Sequence, residues 1–433
     1  MKAKVFLMVW LALGGASVSQ AGEPPTLHLM HMQAAPSAKQ AVQEAVDRFT
    51  AETGVAVRVE AHKNDPYKQK IATVLGSDEA PDVFHSWGGG ILARYVGEGA
   101  VEPLPDDFPV DGISPAVLDF CTVNEKLYAV PTDVSLVVFW YQKSIFDEHG
   151  LDEPETFDDL LGLCRTLRSK GVTPIALGNL QQWPGAFYFD YLMIRLGGAE
   201  EYLRKTNRAG EPVQTRAALT AAERIRALVE SGALIEGFNG LKYDDARSAF
   251  FRKDAAMTLM GTWLLSYALS EQEKGDSEVD VAGFGIFPFP AVGKTDESGA
   301  LLGGTNAAYA VSANSDHKAL AFDLVRYLTD SRAAEGWAKA GRIPARKVDV
   351  PGGAGVRART TALLAEAPSL QLYFDQALSP QAAEQHKAFT QSLFVGEPHW
   401  LIRIVVIAAA VLAVLVIGVI LRTVFRSGEG TGG

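Results

Sequence analysis

Two apolar runs in this chain stop abruptly at polar, aromatic and glycine residues, and that pattern constrains the fold more than any other feature. Ala80-Pro81-Asp82-Val83-Phe84 is followed by Trp87-Gly88-Gly89-Gly90, and Leu127-Tyr128-Ala129-Val130 runs into Pro131-Thr132-Asp133-Val134. Each reads as a strand with a sharp carboxyl end. Ligands bind at such ends in an open α/β sheet, so these stops should line a cleft.

Strand and helix alternate from the start. Thr26 to Met30 reads as a strand ending at His31-Met32-Gln33. A helix follows, with Ser37 and Gln40 as a capping box and Ala38, Ala41, Val42, Ala45 and Phe49 at helical spacing. Val55 to Val59 alternates like a strand, and Asp65-Pro66 opens a helix with proline at its first position. Further on, Val134 to Tyr141 reads as a strand buried on both faces. Thr156 and Asp159 cap a helix, Pro174 to Leu177 is a short strand, and Tyr243 to Phe251 is a helix leading to a strand over Ala255 to Met260. Asn306 to Ser312 is another strand, before a helix from His317 to Leu328. This order predicts parallel sheets with helices on both faces. The glycines and prolines at 283–304 mark a place for the chain to cross between lobes. Cys121, in a strand pattern, and Cys164, in a helical one, read as buried thiols, although an exported chain permits a disulfide.

The two ends address membranes. Lys2 and Lys4, an apolar run from Val5 to Leu13 and then Ser19-Gln20-Ala21 form the layout of a secretory signal peptide over residues 1–21. Ile404 to Leu421 is uncharged and, with its flanks, long enough to span a bilayer. Arg422 and Arg426 behind it predict a cytoplasmic C-terminus, and the tail at 423–433 is too short for an output domain. The 40 basic and 51 acidic residues, less the five basic and one acidic residue of the two ends, leave 35 and 50 between them. A charge of about −15 on the exported part excludes a basic nucleic-acid surface.

Catalytic motifs fail on inspection. Gly293-Lys294-Thr295 lacks a phosphate loop's first glycine, whose place is taken by Pro288. Ser315-Asp316-His317-Lys318 matches a Ser-x-x-Lys pattern without its companion motifs, and Ser315 suits a helix cap. A carboxylate-pair glycosidase has no fixed spacing to look for and is distinguished by turnover. The reading is a non-enzyme with no cofactor and no metal.

Several stretches carry a resemblance. Besides the two strand ends, these are Trp140-Tyr141-Gln142-Lys143, Lys170-Gly171-Val172-Thr173-Pro174-Ile175, Ala255-Ala256-Met257 before Gly261-Thr262-Trp263, Ser312-Ala313-Asn314-Ser315 and Arg342-Ile343-Pro344. In order and spacing, residues 24 to 396 resemble the extracellular solute-binding proteins of carbohydrate ABC importers, the group that includes maltose-binding protein. The resemblance implies an α/β, two-lobed periplasmic-binding-protein fold of type II, with more than one crossing strand and a ligand cleft between the lobes. The lobes would comprise residues 22–132 with 302–340, and 133–301 with 341–398, followed by one transmembrane helix at 401–422. It implies a monomer that captures a carbohydrate outside the membrane and hands it to ABC permease subunits with a separate ATPase. The alternative is a sugar-sensing ectodomain that signals to a membrane kinase.

A sugar offers apolar C–H faces and hydroxyls that both donate and accept, so its site needs flat aromatic surfaces and planar polar groups. Trp87, Trp183 and Trp263 each follow a strand among polar or glycine residues, whereas Trp140 and Trp337 sit in apolar patterns and read as core. Polar candidates, placed by similarity of position, are Gln33, His85, Thr132, Asp133, Gln181 with Gln182, Asn306, Arg342 and Asp375.

Overall fold

A computed structural model describes residues 25–275, 279–292, 299–349 and 355–395. The signal peptide expected over residues 1–21 and the membrane span expected at Ile404 to Leu421 lie outside them. Among the described residues no helix is long and apolar enough to cross a membrane.

Strand β1 (Thr26–His31) pairs in parallel with β2 (Ala56–Ala61) and β3 (Val83–Ser86). Helices α1 (Pro36–Thr53), α2 (Asn64–Val74) and α3 (Gly89–Gly97) make the connections. Their buried faces divide into two cores, one on each side of this sheet. Leu27, Leu29, Val42 and Phe49 lie in one, and Met30, Tyr67, Ile71 and Phe84 in the other. Alternate residues of one strand feeding opposite cores is what a sheet covered on both faces requires.

Two long strands then carry the chain out of this unit and back. β4 (Ala129–Gln142) and β5 (Leu301–Ser312) pair antiparallel from Leu136↔Gly303 to Ala129↔Ala310. The N-terminal half of β4 and the C-terminal half of β5 belong to the first sheet. Beyond Leu136, β4 pairs instead with the strands Met257–Gly261 and Phe284–Phe287, and its side chains join a second, larger core. Ile343–Pro344 adds a third crossing beside Val134 and Asp133. The result is two lobes joined by three strands.

The sheets are mixed, and not parallel throughout as expected, because the crossing strands and their partners in the second lobe run antiparallel. A chain that leaves a lobe and returns along the same hinge must reverse direction there. The glycine-rich stretch supplies one crossing at Gly303-Gly304, while the other begins far from it, at Asp133 to Leu136.

Other local expectations shift in instructive ways. Ser37 and Gln40 form no capping box: Ala35 is the cap residue. Ser37 Oγ instead donates to the carbonyls of Ser266 (3.3 Å) and Ala340 (3.4 Å), and Gln40 bonds Glu44. Tertiary partners outcompete the local cap. Pro66 is the third residue of α2 and not the first, a position whose N–H also has no intrahelical partner. Pro174 to Leu177 makes only isolated bridges, from Ile175 to Leu234 and to Met257. Cys121 ends a 3₁₀ turn (Asp119–Cys121) and is not in a strand. Both cysteines are free and buried, and the Thr156–Asp159 capping box forms as read. Ser315 Oγ accepts from the N–H of His317 just before the helix Lys318–Thr329 and donates to Asp82.

Candidate ligand site between the lobes

A cavity of about 520 Å³ opens between the lobes, a size usual for small-ligand sites. It lies where β1, β3 and the crossing strands end, and both lobes line it.

The floor is built on an irregularity of the crossing strands. Pairing of β5 with β4 slips between Thr305, Ala307 and Ala308, so Asn306 is the extra residue of a β-bulge. Bulges re-aim side chains. Here Asn306 lines the cavity while its Nδ2 donates to Asp133 Oδ2 at 2.8 Å. Pro131, with no N–H to offer, sits in β4 opposite this bulge, where a missing donor is tolerated. Asp133 is fully buried. It also accepts from Thr132 Oγ1 at 3.0 Å and lies 3.7 Å from Arg342 Nη1. Burial pushes its carboxyl above the usual value, and Arg342, Asn306 and Thr132 oppose that push. Arg342 Nη2 donates to Gln33 Oε1 at 3.1 Å, and Gln33 N donates to His31 Nδ1 at 3.1 Å.

The walls are aromatic. Trp183 opens the helix Trp183–Arg195, and Trp263 follows Met257–Gly261. Both are partly exposed to the cavity, 6.2 Å apart between ring centroids. Gly261 is needed here because a Cβ would overlap the Trp263 ring. Phe187, Tyr243, Tyr267 and Tyr373 extend the surface, and Arg247 lies 4.1 Å from the centroid of the Tyr267 ring. Across the cleft, Trp87 lines the cavity but is only 3 % exposed. Lys68 Nζ lies 5.1 Å from the centroid of its ring, with His85 and Tyr67 against its edges. Gly88 makes the turn after Trp87 at φ +73°, and a Cβ there would sit 2.5 Å from the Phe120 carbonyl.

Of the residues singled out in the sequence, Gln33, Trp87, Gln181, Trp183, Trp263, Asn306, Arg342 and Asp375 meet at this cavity. His85, Thr132 and Asp133 lie behind its lining, His85 wholly buried against Trp87. Gln182 turns away to Gln391, and Gln181 Oε1 accepts from Tyr243 N at 2.9 Å. Sequence reasoning missed Lys68, Tyr243, Arg247, Tyr267 and Tyr373. Tyr243 and Arg247, four apart at the start of one helix, were a usable signal. Among the described residues no cluster suited to a metal ion occurs. Among the described residues, four buried donors of cavity-lining side chains have no hydrogen-bond partner: Gln33 Nε2, Arg342 Nε, Trp183 Nε1 and Tyr243 Oη. Unpaired buried donors are uncommon, and four gathered around one cavity set it apart.

The chain belongs to the bacterial extracellular solute-binding protein family, whose profile matches residues 35–335. Its sequence is similar to a multiple sugar-binding protein of Streptococcus mutans, 30 % identical over 49 % of this chain and 50 % of that protein. It is also similar to the diacetylchitobiose-binding protein DasA of Streptomyces coelicolor, 25 % identical over 68 % of each. The chain spans about half the length of the first curated relatives it matches. Among solved structures, one from work on xylan utilisation by Caldanaerobius polysaccharolyticus superposes with a TM-score of 0.77 at 30 % identity, covering 86 % of this chain and 95 % of that one. A chitin oligosaccharide-binding protein superposes at 0.76 with 21 % identity, covering 87 % and 95 %, which is a likeness of fold.

Proposed function

We propose that this chain is an exported carbohydrate receptor that closes around its ligand and delivers it to an ABC importer. One observation carries the reading. The interlobe cleft joins part-exposed indole surfaces at Trp183 and Trp263 to the planar polar groups of Gln33, Asn306 and Arg342. Rings offer the apolar sugar faces a surface, and amide and guanidinium groups serve the hydroxyl rim. Asp133, behind the floor, positions Asn306 and Arg342 without reaching the ligand itself. Contacts from both lobes favour a closed form, which a permease then distinguishes from the open one. The sugar-binding relatives support the same reading, and they are receptors, in keeping with a protein that binds without turnover.

The sequence adds a membrane tether to the proposal. Residues 1–21 direct export, and the charge-free run Ile404 to Leu421 followed by Arg422 and Arg426 holds the lobes at the outer face. The same tether keeps the sensing alternative in view. Co-purification separates the two: permease subunits with the chain mean transport, a histidine kinase means sensing.

The experiment for the main claim is a thermal-shift screen against mono- and oligosaccharides. A ligand that binds only the folded form at a hundredfold excess over Kd adds about 2.7 kcal/mol of stability, an easily read rise in Tm. A flat response across the whole sugar panel contradicts the reading.

A further inference from the structure

The cations of the inner cleft are held by carboxylates of the protein, and this restricts the ligand beyond its being a saccharide. Arg342 lies 3.7 Å from Asp133. Lys63, from the loop before α2, reaches across to Asp244 Oδ2 at 2.6 Å, and Arg247 holds the other oxygen of the same carboxylate at 2.9 Å. Lys68 Nζ lies 3.7 Å from Asp375 Oδ2, and Asp65, three residues before Lys68 in α2, adds a second carboxylate to the same end of the cavity. At the rim Lys274 is held by Glu271 at 2.9 Å, and Lys242 is exposed to solvent. Among the described residues each inner cation faces a carboxylate, Lys63 and Arg247 sharing that of Asp244, and at the Lys68 end the positive charge is not in excess.

The Lys68–Asp375 pair differs from the Lys63–Asp244 contact. At 3.7 Å its nitrogen and oxygen are attracted but stand outside hydrogen-bond reach of each other. They come from different lobes, Lys68 from α2 and Asp375 from the turn Phe374–Ala377, and their side chains are 27 % and 10 % exposed. A hydroxyl oxygen seated between them accepts from Nζ and donates to Oδ2, both at ordinary length. A carboxylate or phosphate in that place has no proton for Asp375 and meets its carboxylate at close range. Like charges so juxtaposed are strongly disfavoured in a partly desolvated site.

We propose that Lys68 and Asp375 together read one hydroxyl of an uncharged saccharide beside Trp87, and that the cleft excludes uronates and sugar phosphates. The inference rests on the carbohydrate reading above and narrows it.

The test uses the purified full-length chain in detergent, titrated by intrinsic fluorescence. Probes are maltose, cellobiose, xylobiose, raffinose and diacetylchitobiose, alongside cellobiouronate, digalacturonate and maltose 6′-phosphate. A neutral member is expected to bind, with its acidic counterpart weaker by about a hundredfold. Lys68→Met and Asp375→Asn should each weaken the neutral sugar by about tenfold or more, the loss expected when a buried polar partner is removed. Asp375→Asn should also narrow the gap between neutral and acidic probes, since it removes the repelling charge. If an acidic probe binds more tightly than every neutral one, or if both variants bind like wild type, the inference is overturned while the carbohydrate reading stands. If none of the probes binds, the carbohydrate reading falls and takes the inference with it.

Discussion

His31 ends β1 and turns the chain toward the cleft, accepting the Gln33 N–H on Nδ1. Burial, aided by the charges of Lys39 and His62, pushes its imidazole down to about 4. The unfolded chain therefore binds a proton near pH 6.5 that the folded chain takes only near 4. Stability is then full above pH 6.5 and falls as the solution is acidified toward 4. The total is on the order of 3 kcal/mol for this group alone. Chemical denaturation at pH 7.5, 6 and 5 should show the decline, and His31→Asn, which keeps an acceptor but does not titrate, should lessen it. Equal slopes in the two proteins contradict this assignment. Trp140 and Trp337 are 0 % and 1 % exposed, so truncation to alanine should cost roughly 3–5 kcal/mol of folding stability by urea titration. The thiols of Cys121 and Cys164, pushed up to about 12 by burial, should resist a thiol reagent at pH 8 in the native protein. Both should react in denaturant without any reductant; labelling that requires reduction first would show a disulfide. At this scale apolar periodicity, being local, marks Trp140 and Trp337 as core, but it does not tell the nearly buried Trp87 from the part-exposed Trp183 and Trp263. It does not separate Asp133 from the polar groups that line the cavity. Which side of a strand end faces the cavity depends on the slip at Asn306, and no residue type announces that slip.

Elements were legible where one principle dominated. The capping box at Thr156 and Asp159, the doubly buried strand through Val134 to Tyr141 and the alternation that builds β1, β2 and β3 follow from local chemistry. The cap at Ser37 did not form because a neighbouring helix, Leu264–Glu273, offers its hydroxyl a better partner. The antiparallel crossing depends on contacts between residues more than 160 apart, which periodicity cannot report. Two glycines set the wall geometry, and their roles predict different outcomes. Gly88→Ala forces a β-carbon into the left-handed region and against Phe120, and should cost roughly 1–3 kcal/mol of stability, read by thermal denaturation. Gly261→Ala displaces the Trp263 ring, so it should weaken ligand binding by about tenfold even when the protein remains folded. A Gly261→Ala protein with wild-type affinity would mean that the ring is not a ligand surface.

For the whole molecule, the glycines and prolines at 283–304 pointed to one crossing between lobes, but the two-lobed fold with three crossing strands was legible only through resemblance, since no spacing in the sequence states how often a chain crosses. The tether rests on the sequence alone. Removing residues 399–433 should release a folded protein into the periplasm or medium, and retention of that truncated protein in the membrane fraction contradicts the single C-terminal anchor. The central claim is that the cavity between the lobes takes a sugar against its aromatic wall. The most direct measurement is calorimetric titration of the best sugar from the panel into wild type and into Trp183→Ala, with Tm recorded without ligand. Truncating a ring that carries ligand should raise Kd about thirtyfold, or about 2 kcal/mol, and leave the ligand-free Tm nearly unchanged. Wild-type affinity in Trp183→Ala, or a lost affinity that merely follows a collapsed Tm, would contradict it.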